Sequence, residues 1–253
     1  MRNKISAIII CKNEEKNIRR CLESIEWVDE IVVVDSGSSD STLDIVSEFT
    51  NIFFVNTEWP GFGLQKRLAE EKASNNWILA IDSDEVVDDE LREEILAVLE
   101  IGEEKTVYRI NRLTNFCGKF INHSGWHPDR IVRIYNKKYY HYNDALVHES
   151  VDCAGAKKVN LKGFLLHYTF QTLELHMEKQ NVYAKAWSEE QFKKGRKVKI
   201  YEMIYRSIFS FIRQYILRFG FLDGYQGFLI SVIQMQYTFN KYSFLIFKNN
   251  TEK

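Results

Sequence analysis

Asp82 and Asp84 stand two residues apart, directly after the apolar run Trp77-Ile78-Leu79-Ala80-Ile81. On an extended backbone that spacing turns both carboxylates to one side, where they repel each other unless a cation lies between or beside them. A hard divalent ion such as Mg2+ or Mn2+ answers that need, because it takes oxygens from one or two carboxylates and completes its shell with substrate phosphates. Taken alone, the pair reads more simply as a solvated acidic turn that starts a helix, since so short a motif is a weak signal.

Other polar clusters follow apolar runs in the same way. Lys12-Asn13-Glu14 comes after Ile5–Cys11, and Asp35-Ser36-Gly37-Ser38-Ser39-Asp40 comes after Ile31-Val32-Val33-Val34. Gly63-Leu64-Gln65-Lys66-Arg67 opens a helical stretch, and a helix start offers free backbone N–H groups and here two cations to a diphosphate. The plain alternative for Lys66 and Arg67 is a solvated basic turn.

These clusters need a scaffold, and the first hundred residues supply its pattern. Runs rich in Val and Ile alternate with helical periodicity, which predicts a mostly parallel sheet with helices on both faces. Strands are expected at Ile5 to Cys11, Glu30 to Asp35, Ile52 to Val55 and Trp77 to Ile81, with helices at Asn13 to Ile25, from Ser39 or Asp40 to about Phe49, and from Leu64 to Ser74. A further helix is expected to open at Asp88-Asp89-Glu90, whose acids suit the positive end of the helix dipole. In such a sheet, ligands sit at the carboxyl ends of the strands, and the polar clusters fall there. From Thr106 to about Phe170 the chain turns to strands and loops rich in Tyr, Trp, Arg and His; beyond Thr172 it reads as helical, with helices at Leu173 to Lys193 and Ile200 to Phe219.

Ile5 to Glu14, Val32 to Asp40 and Ile78 to Glu85, in this order, resemble the large inverting glycosyltransferase family 2 with its GT-A fold. Trp126-His127-Pro128, Arg130 to Tyr135, Val147-His148-Glu149 and Gly220-Phe221-Leu222-Asp223-Gly224 narrow the resemblance. They are similar to the bacterial branch that builds the lipopolysaccharide inner core, notably the enzymes that add β-1,4-linked glucose to the first heptose. The expected architecture is therefore an α/β, Rossmann-like GT-A domain with a C-terminal helical extension. Its parts are a nucleotide-sugar half at residues 1–105, an acceptor and catalytic half at 106–171, and an amphipathic extension at 172–253.

The resemblance implies a UDP-sugar donor, UDP-glucose in the narrower branch, and a metal-assisted transfer to an inner-core heptose. It places Asp35 against the nucleotide base, Glu14 at the border of the same pocket, Asp82 toward the ribose or metal, and Asp84 on the metal directly. Many relatives carry two acids where this chain has Asp35-Ser36. Inversion needs one carboxylate to take the proton from the acceptor hydroxyl, and Glu149 stands where relatives place an acid. Asp129 and Asp144 compete for that role, a salt bridge from Glu149 to Arg130 or Arg133 is the structural alternative, and His148 is a further metal ligand, an orienting partner or, as a lone histidine more often is, a structural hydrogen-bonder outside the metal set. Trp126 and His127 are read as a face for a sugar ring or, for Trp126, as a core anchor. Other acceptors remain open, namely a polyprenyl phosphate, another glycan or a peptide, as does a noncatalytic nucleotide-binding module at a membrane surface.

The chain has 253 residues, 45% hydrophobic and 27% charged, with 2 prolines, 12 glycines and no repeat or linker-like run, so a folded core is expected and disorder is not. Its 4 cysteines show no CxxC spacing, and reduced thiols are expected. The formal net charge of -1 hides an asymmetry, because from Lys193 onward eleven Lys/Arg face three Asp/Glu. Between Ile200 and Phe219 apolar residues recur at helical spacing with Arg206 and Arg213 on another face, an amphipathic pattern. Without an apolar run long enough to span, this tail reads as attaching to the anionic inner face of the cytoplasmic membrane, where a lipid-linked saccharide acceptor would lie, or as a hairpin packed on the protein. No secretory signal is read at the N-terminus, which makes the expected location cytoplasmic and peripheral. The tail's aromatic and aliphatic character argues against a nucleic-acid groove.

Overall fold

The computed structural model describes residues 2–144, 149–170 and 172–251, apart from the side chain of Phe170. The chain forms two compact units, one from the residues up to Arg112 together with Asp129–Tyr168, the other from Leu113–Pro128 together with the residues from Thr169 onward.

The first unit is built on β1 (Ile5–Cys11), whose seven residues are all buried. Parallel neighbours flank it on both sides: β2 (Glu30–Asp35), which in turn pairs with β3 (Phe53–Val55), and β4 (Trp77–Ala80). Burial on both faces explains why β1 and β2 read as nearly unbroken apolar, β-branched runs rather than alternating ones. Helices α1 (Ile18–Glu23), α2 (Thr42–Ser47) and α3 (Phe62–Lys72) connect them. Two apolar clusters divide the strand residues by parity. Ile5, Ala7, Ile9 and Cys11 pack with Ile18, Leu22 and Ile25, while Ile8 and Ile10 pack with Val32, Val34, Ala69 and Tyr135.

Beyond β4 the sheet becomes antiparallel. The short β5 (Glu85–Val87) precedes α4 (Asp89–Ile101), and β6 (Thr106–Phe116), β8 (Asp129–Asn136) and β11 (Lys157–Phe170) complete the sheet in the order β3-β2-β1-β4-β8-β6-β11-β5. A separate ribbon pairs β9 (His141–Tyr142) with β10 (Val151–Asp152). Asp88 caps α4, its carboxylate accepting from Leu91 N at 2.8 Å and from Phe164 N at 3.0 Å. Gly163 lets β11 pass close to α4, for a Cβ there would lie 2.2 Å from Leu91 N. In the pairing of β11 with β5, His167 lies opposite Glu85.

One local expectation changes. Asp82 does not lead straight toward a helix on extended backbone; Glu85 N donates to Asp82 O at 3.0 Å, closing a tight turn that feeds β5. The three residues of β5 carry no strand pattern of their own length, and their conformation is imposed by pairing with β11.

In the second unit, β7 (Lys119–Phe120) pairs with Asn115 and Phe116, and helices α5 (Leu173–Lys193), α6 (Ile200–Ile212) and α7 (Gly224–Thr251) follow. The helix expected to reach Phe219 ends earlier: α6 widens into a π-turn at Arg213–Leu217 and a 3-10 turn at Gly220–Asp223 leads into α7. Its small core joins Phe116 and Ile121 to Ile230 and Ile233. Among the described residues no single helix is long and apolar enough to cross a membrane, although α6 with its π-turn and α7, bent by 69°, pass that test as a pair.

Candidate active site

The ends of β1 and β2 are stitched into one rim. Asn13, in the left-handed region at φ 55, accepts from Ser39 N at 2.8 Å, and its own N–H donates to Ser38 Oγ at 2.8 Å. Glu14 N donates to Thr42 Oγ1 at 2.8 Å. Asp35, fully buried, accepts from Gly37 N and Ser38 N, both at 2.8 Å, and from the Ser38 hydroxyl and the Cys11 thiol. The carboxylate that the resemblance sets against a base is thus held by its own loop, and it shapes the rim through those bonds.

Asp82 and Asp84 face different partners. Lys66 Nζ lies 2.8 Å from Asp82 Oδ1, and Arg133 Nη2 lies 2.5 Å from Asp82 Oδ2. Burial alone would raise the Asp82 carboxyl, but Arg133 and Lys66 outweigh it and hold the group well below the usual carboxylate range. Arg133 also donates to Glu85 Oε1 at 2.7 Å, and Glu85, fully buried, is pushed up by that burial, which Arg133 only partly offsets. Lys66 is not the solvated residue that a basic first turn suggests, because only 3% of it is exposed. Burial works against its charge, yet Asp82 and then Tyr142 and Glu149 win, and the ammonium is held above the ordinary lysine range. Arg67, half-exposed, pairs with Asp144 instead.

Asp84 meets His167, whose Nε2 lies 3.2 Å from Oδ2. Glu14 stands close enough to be felt: burial pushes its carboxyl up, the Asn17 amide draws it down, and the Asp84 charge adds to the rise. Among the described residues no three His, Cys, Asp or Glu side chains converge into a cage that would hold an ion unaided. The Asp84 carboxylate nevertheless fits Mg2+ or Mn2+, which keep several waters and take substrate phosphates as remaining ligands, and the imidazole beside it is a donor better suited to Mn2+ than to Mg2+. Each Asp82 oxygen already meets one cation, Lys66 or Arg133.

Glu149 Oε1 accepts from Lys66 Nζ at 2.9 Å. Its salt bridge is therefore neither to Arg130 nor to Arg133. Of its competitors, Asp129 accepts from Arg112 Nε at 2.9 Å and Asp144 is taken by Arg67; His148 and Val147 lie outside the described residues. Trp126, in the second unit, meets the Phe116 ring edge-on at 5.7 Å beside that unit's core, the packing of an anchor.

From the sequence, Arg133 is expected only as a salt-bridge partner of Glu149, and Glu85 and His167 have no role. The signal for Arg133 was a lone cation inside the apolar run Ile131 to Tyr135, and for His167 a lone imidazole in the apolar end of β11. Charge in the middle of a buried strand calls for a partner.

The family model described as glycosyl transferase family 2 matches residues 6–165. The chain is 30% identical over 240 residues, 93% of its length and 89% of the relative's, to the lipopolysaccharide core biosynthesis glycosyltransferase LpsC of Rhizobium meliloti. It is 31% identical over 242 residues, 91% of its length and 82% of the relative's, to an uncharacterized glycosyltransferase of Rickettsia typhi. Among solved structures, the mannosyltransferase PcManGT of Pyrobaculum calidifontis in complex with GDP-Man and Mn2+ aligns with a TM-score of 0.57 at 13% identity, over 100% of this chain and 88% of that one. At that identity the likeness shows a shared fold, and the fold is GT-A. With a family match over more than half of the chain and relatives aligned nearly end to end, the protein is a glycosyltransferase and belongs to glycosyl transferase family 2.

Proposed function

We propose that the protein moves a hexose, glucose from UDP-glucose, onto a heptose of a lipopolysaccharide inner core, with inversion and with the help of Mg2+ or Mn2+. The named role of the Rhizobium meliloti relative in core biosynthesis supports the acceptor class. The observation that carries the mechanism is that one buried ammonium, Lys66 Nζ, holds Asp82 at 2.8 Å and Glu149 at 2.9 Å. The turn after β4 and the base are thereby fixed to one point.

In this reading Glu149 is the general base. Among the described residues only its Oε1 is engaged, which leaves Oε2 to take the proton as the acceptor oxygen attacks the anomeric carbon. The bond from that carbon to the diphosphate breaks as the new one forms, and the electron pair leaves with the phosphate oxygen. Asp84 and His167 would hold the divalent ion, which when bound offsets the charge developing on the leaving diphosphate. Lys66 and Arg133 keep the surrounding carboxylates compensated, so the diphosphate does not meet bare negative charge. Asp35 and Glu14 belong to the rim at the ends of β1 and β2, where the uridine would lie.

The acceptor is lipid-linked, and this reading places the protein on the cytoplasmic face of an anionic membrane. The support is in the second unit, where α6, its π-turn, the 3-10 turn and the start of α7 leave Ile204, Ile208, Phe209, Leu217, Leu222 and Tyr225 exposed, beside the excess of Lys and Arg that begins at Lys193.

Calorimetric titration with UDP, UDP-glucose, UDP-galactose and ADP-heptose, with and without Mn2+, tests the donor. UDP-glucose is expected to bind most tightly and only with the ion. Glu149→Gln should keep that binding and lose transfer to a heptose acceptor by at least a hundredfold, as removal of a general base does. Full transfer by this variant would end the assignment of the base, and tighter binding of ADP-heptose would end that of the donor.

A further inference from the structure

The second unit contains a polar cavity of about 250 Å3, lined among others by Ser124, Trp126, Arg213, Gln214, Arg218 and Gln234. Of the residues weighed above only Trp126 takes part, and no carboxylate lines it. Among the described residues the ion pairs of this unit engage His123, Lys194, Arg196, Arg206 and Lys248, but neither Arg213 nor Arg218. The adjacent acid, Asp223, is 1% exposed and committed elsewhere, accepting from the backbone of Asn122 and His123 and from Ser124 Oγ at 2.7 Å. Two exposed guanidinium groups therefore line the cavity, and among the described residues no carboxylate pairs with either.

The backbone is built to put them there. Arg213 opens the π-turn and Arg218 closes it, and single π-turns within helices gather at functional sites. Phe219, next in the chain, sits in the left-handed region at φ 55, uncommon for a bulky residue. Arg218 O accepts from Ser124 N at 3.0 Å, and its Nη1 reaches Gly125 O at 3.4 Å. Gly125 has φ 71 and no room for a side chain, since a Cβ would lie 2.0 Å from Arg218 Nη1. The guanidinium is thus laid against bare backbone beside the Trp126 ring.

A planar guanidinium fork matches the oxygens of phosphate, and two forks with side-chain amides nearby match it better than a scattered cationic surface does. We propose that this cavity is a binding site for a terminal phosphate group, gripped by Arg213 and Arg218, with Trp126 beside the sugar or glycerol that carries it. The site is independent of the donor and acceptor assigned above, so its test does not need transfer activity.

Two probes separate the sources of such a phosphate. Glucose 1-phosphate is titrated into the full chain by calorimetry, and flotation is measured with phosphatidylcholine vesicles carrying phosphatidic acid or, at matched surface charge, phosphatidylglycerol. The variant Arg213→Gln/Arg218→Gln is compared with Lys197→Gln/Lys199→Gln, which removes the same charge from an exposed connection. The arginine variant should weaken binding of glucose 1-phosphate, or of phosphatidic acid vesicles above the phosphatidylglycerol level, by at least tenfold, and the lysine variant by less than twofold. A response to the soluble probe assigns the phosphate to a sugar; a response confined to phosphatidic acid assigns it to a headgroup. If wild-type protein binds neither probe, or if both variants weaken binding equally, the cavity is no phosphate site.

Discussion

Lys66 and Glu149 meet at 2.9 Å across 83 residues of sequence, and the same ammonium also holds Asp82. Lys66→Met would leave both carboxylates without it in a setting where Lys66 itself is 3% exposed. Breaking a buried ion pair from one side costs about 3 to 5 kcal/mol, and the variant should unfold at correspondingly lower denaturant. Glu149→Gln should cost much less, because Lys66 keeps Asp82 and the amide oxygen still accepts a hydrogen bond. If the glutamine variant proves the less stable of the two, Lys66 is not the hub of this network.

Arg133 bridges Asp82 and Glu85 from inside β8. One nitrogen, Nη2, serves both carboxylates while Nη1 reaches the Tyr142 hydroxyl at 3.4 Å; a lysine there keeps the charge but has no second nitrogen for Tyr142. Arg133→Lys should therefore lower stability and also weaken UDP binding, by roughly tenfold for each ~1.4 kcal/mol lost from the site. Arg133→Met, which leaves the fully buried Glu85 with only the longer pair to Arg112 at 3.6 Å, should be worse by a further ~2 kcal/mol or more. Unchanged melting of the lysine variant would show that the bridge is of no consequence to the fold.

The contrast between these residues and those read from the sequence has a physical cause. The four strands of the parallel half announce themselves through local apolar runs, and the loops at their ends inherit a position from the sheet. Asp35 and Asp82 were placed at strand ends for that reason, and Lys66 at the helix start that follows β3. Their partners were not, because Arg133, Glu85 and His167 reach the site through antiparallel pairing of β8 with β4 and of β11 with β5, contacts of long sequence separation that no local pattern encodes. The turn from Asp82 to Glu85 failed in the same way, since β5 exists only because β11 lies beside it. The end of α6 was missed for a different reason: the helical periodicity continues through Arg213–Leu217 while the backbone widens.

His176 gives the second unit a dependence on pH. It is 3% exposed between the rings of Phe116 and Trp126, and burial, with the charge of Lys179, lowers its pKa from 6.5 to about 4. The folded unit holds the imidazole neutral, whereas the unfolded chain takes up a proton below pH 6.5. Stability from this residue is therefore complete above pH 6.5 and is lost as pH falls toward about 4. The whole loss is on the order of 3 kcal/mol, at ~1.4 kcal/mol per unit of pKa. Thermal melts of wild type and His176→Gln should converge as pH falls through this window, and parallel curves would show that the imidazole is not held neutral.

The exposed apolar face of α6 and its π-turn permits a test of membrane attachment that spares the fold. Removing the tail would also remove Ile230 and Ile233, which pack on Phe116 and Ile121, so truncation confounds anchoring with unfolding. Ile208, Phe209 and Leu217 are 52%, 55% and 59% exposed, and polar replacements there disturb little packing. Withdrawing a half-exposed side chain of this size from water is worth on the order of 1 kcal/mol, so Ile208→Gln/Phe209→Gln/Leu217→Gln should weaken binding to phosphatidylcholine–phosphatidylglycerol vesicles by roughly a hundredfold. The remaining attraction of the variant, carried by the basic residues, should fall steeply as salt shortens the Debye length. Equal sedimentation of wild type and variant at every salt concentration would mean that this face meets something other than lipid.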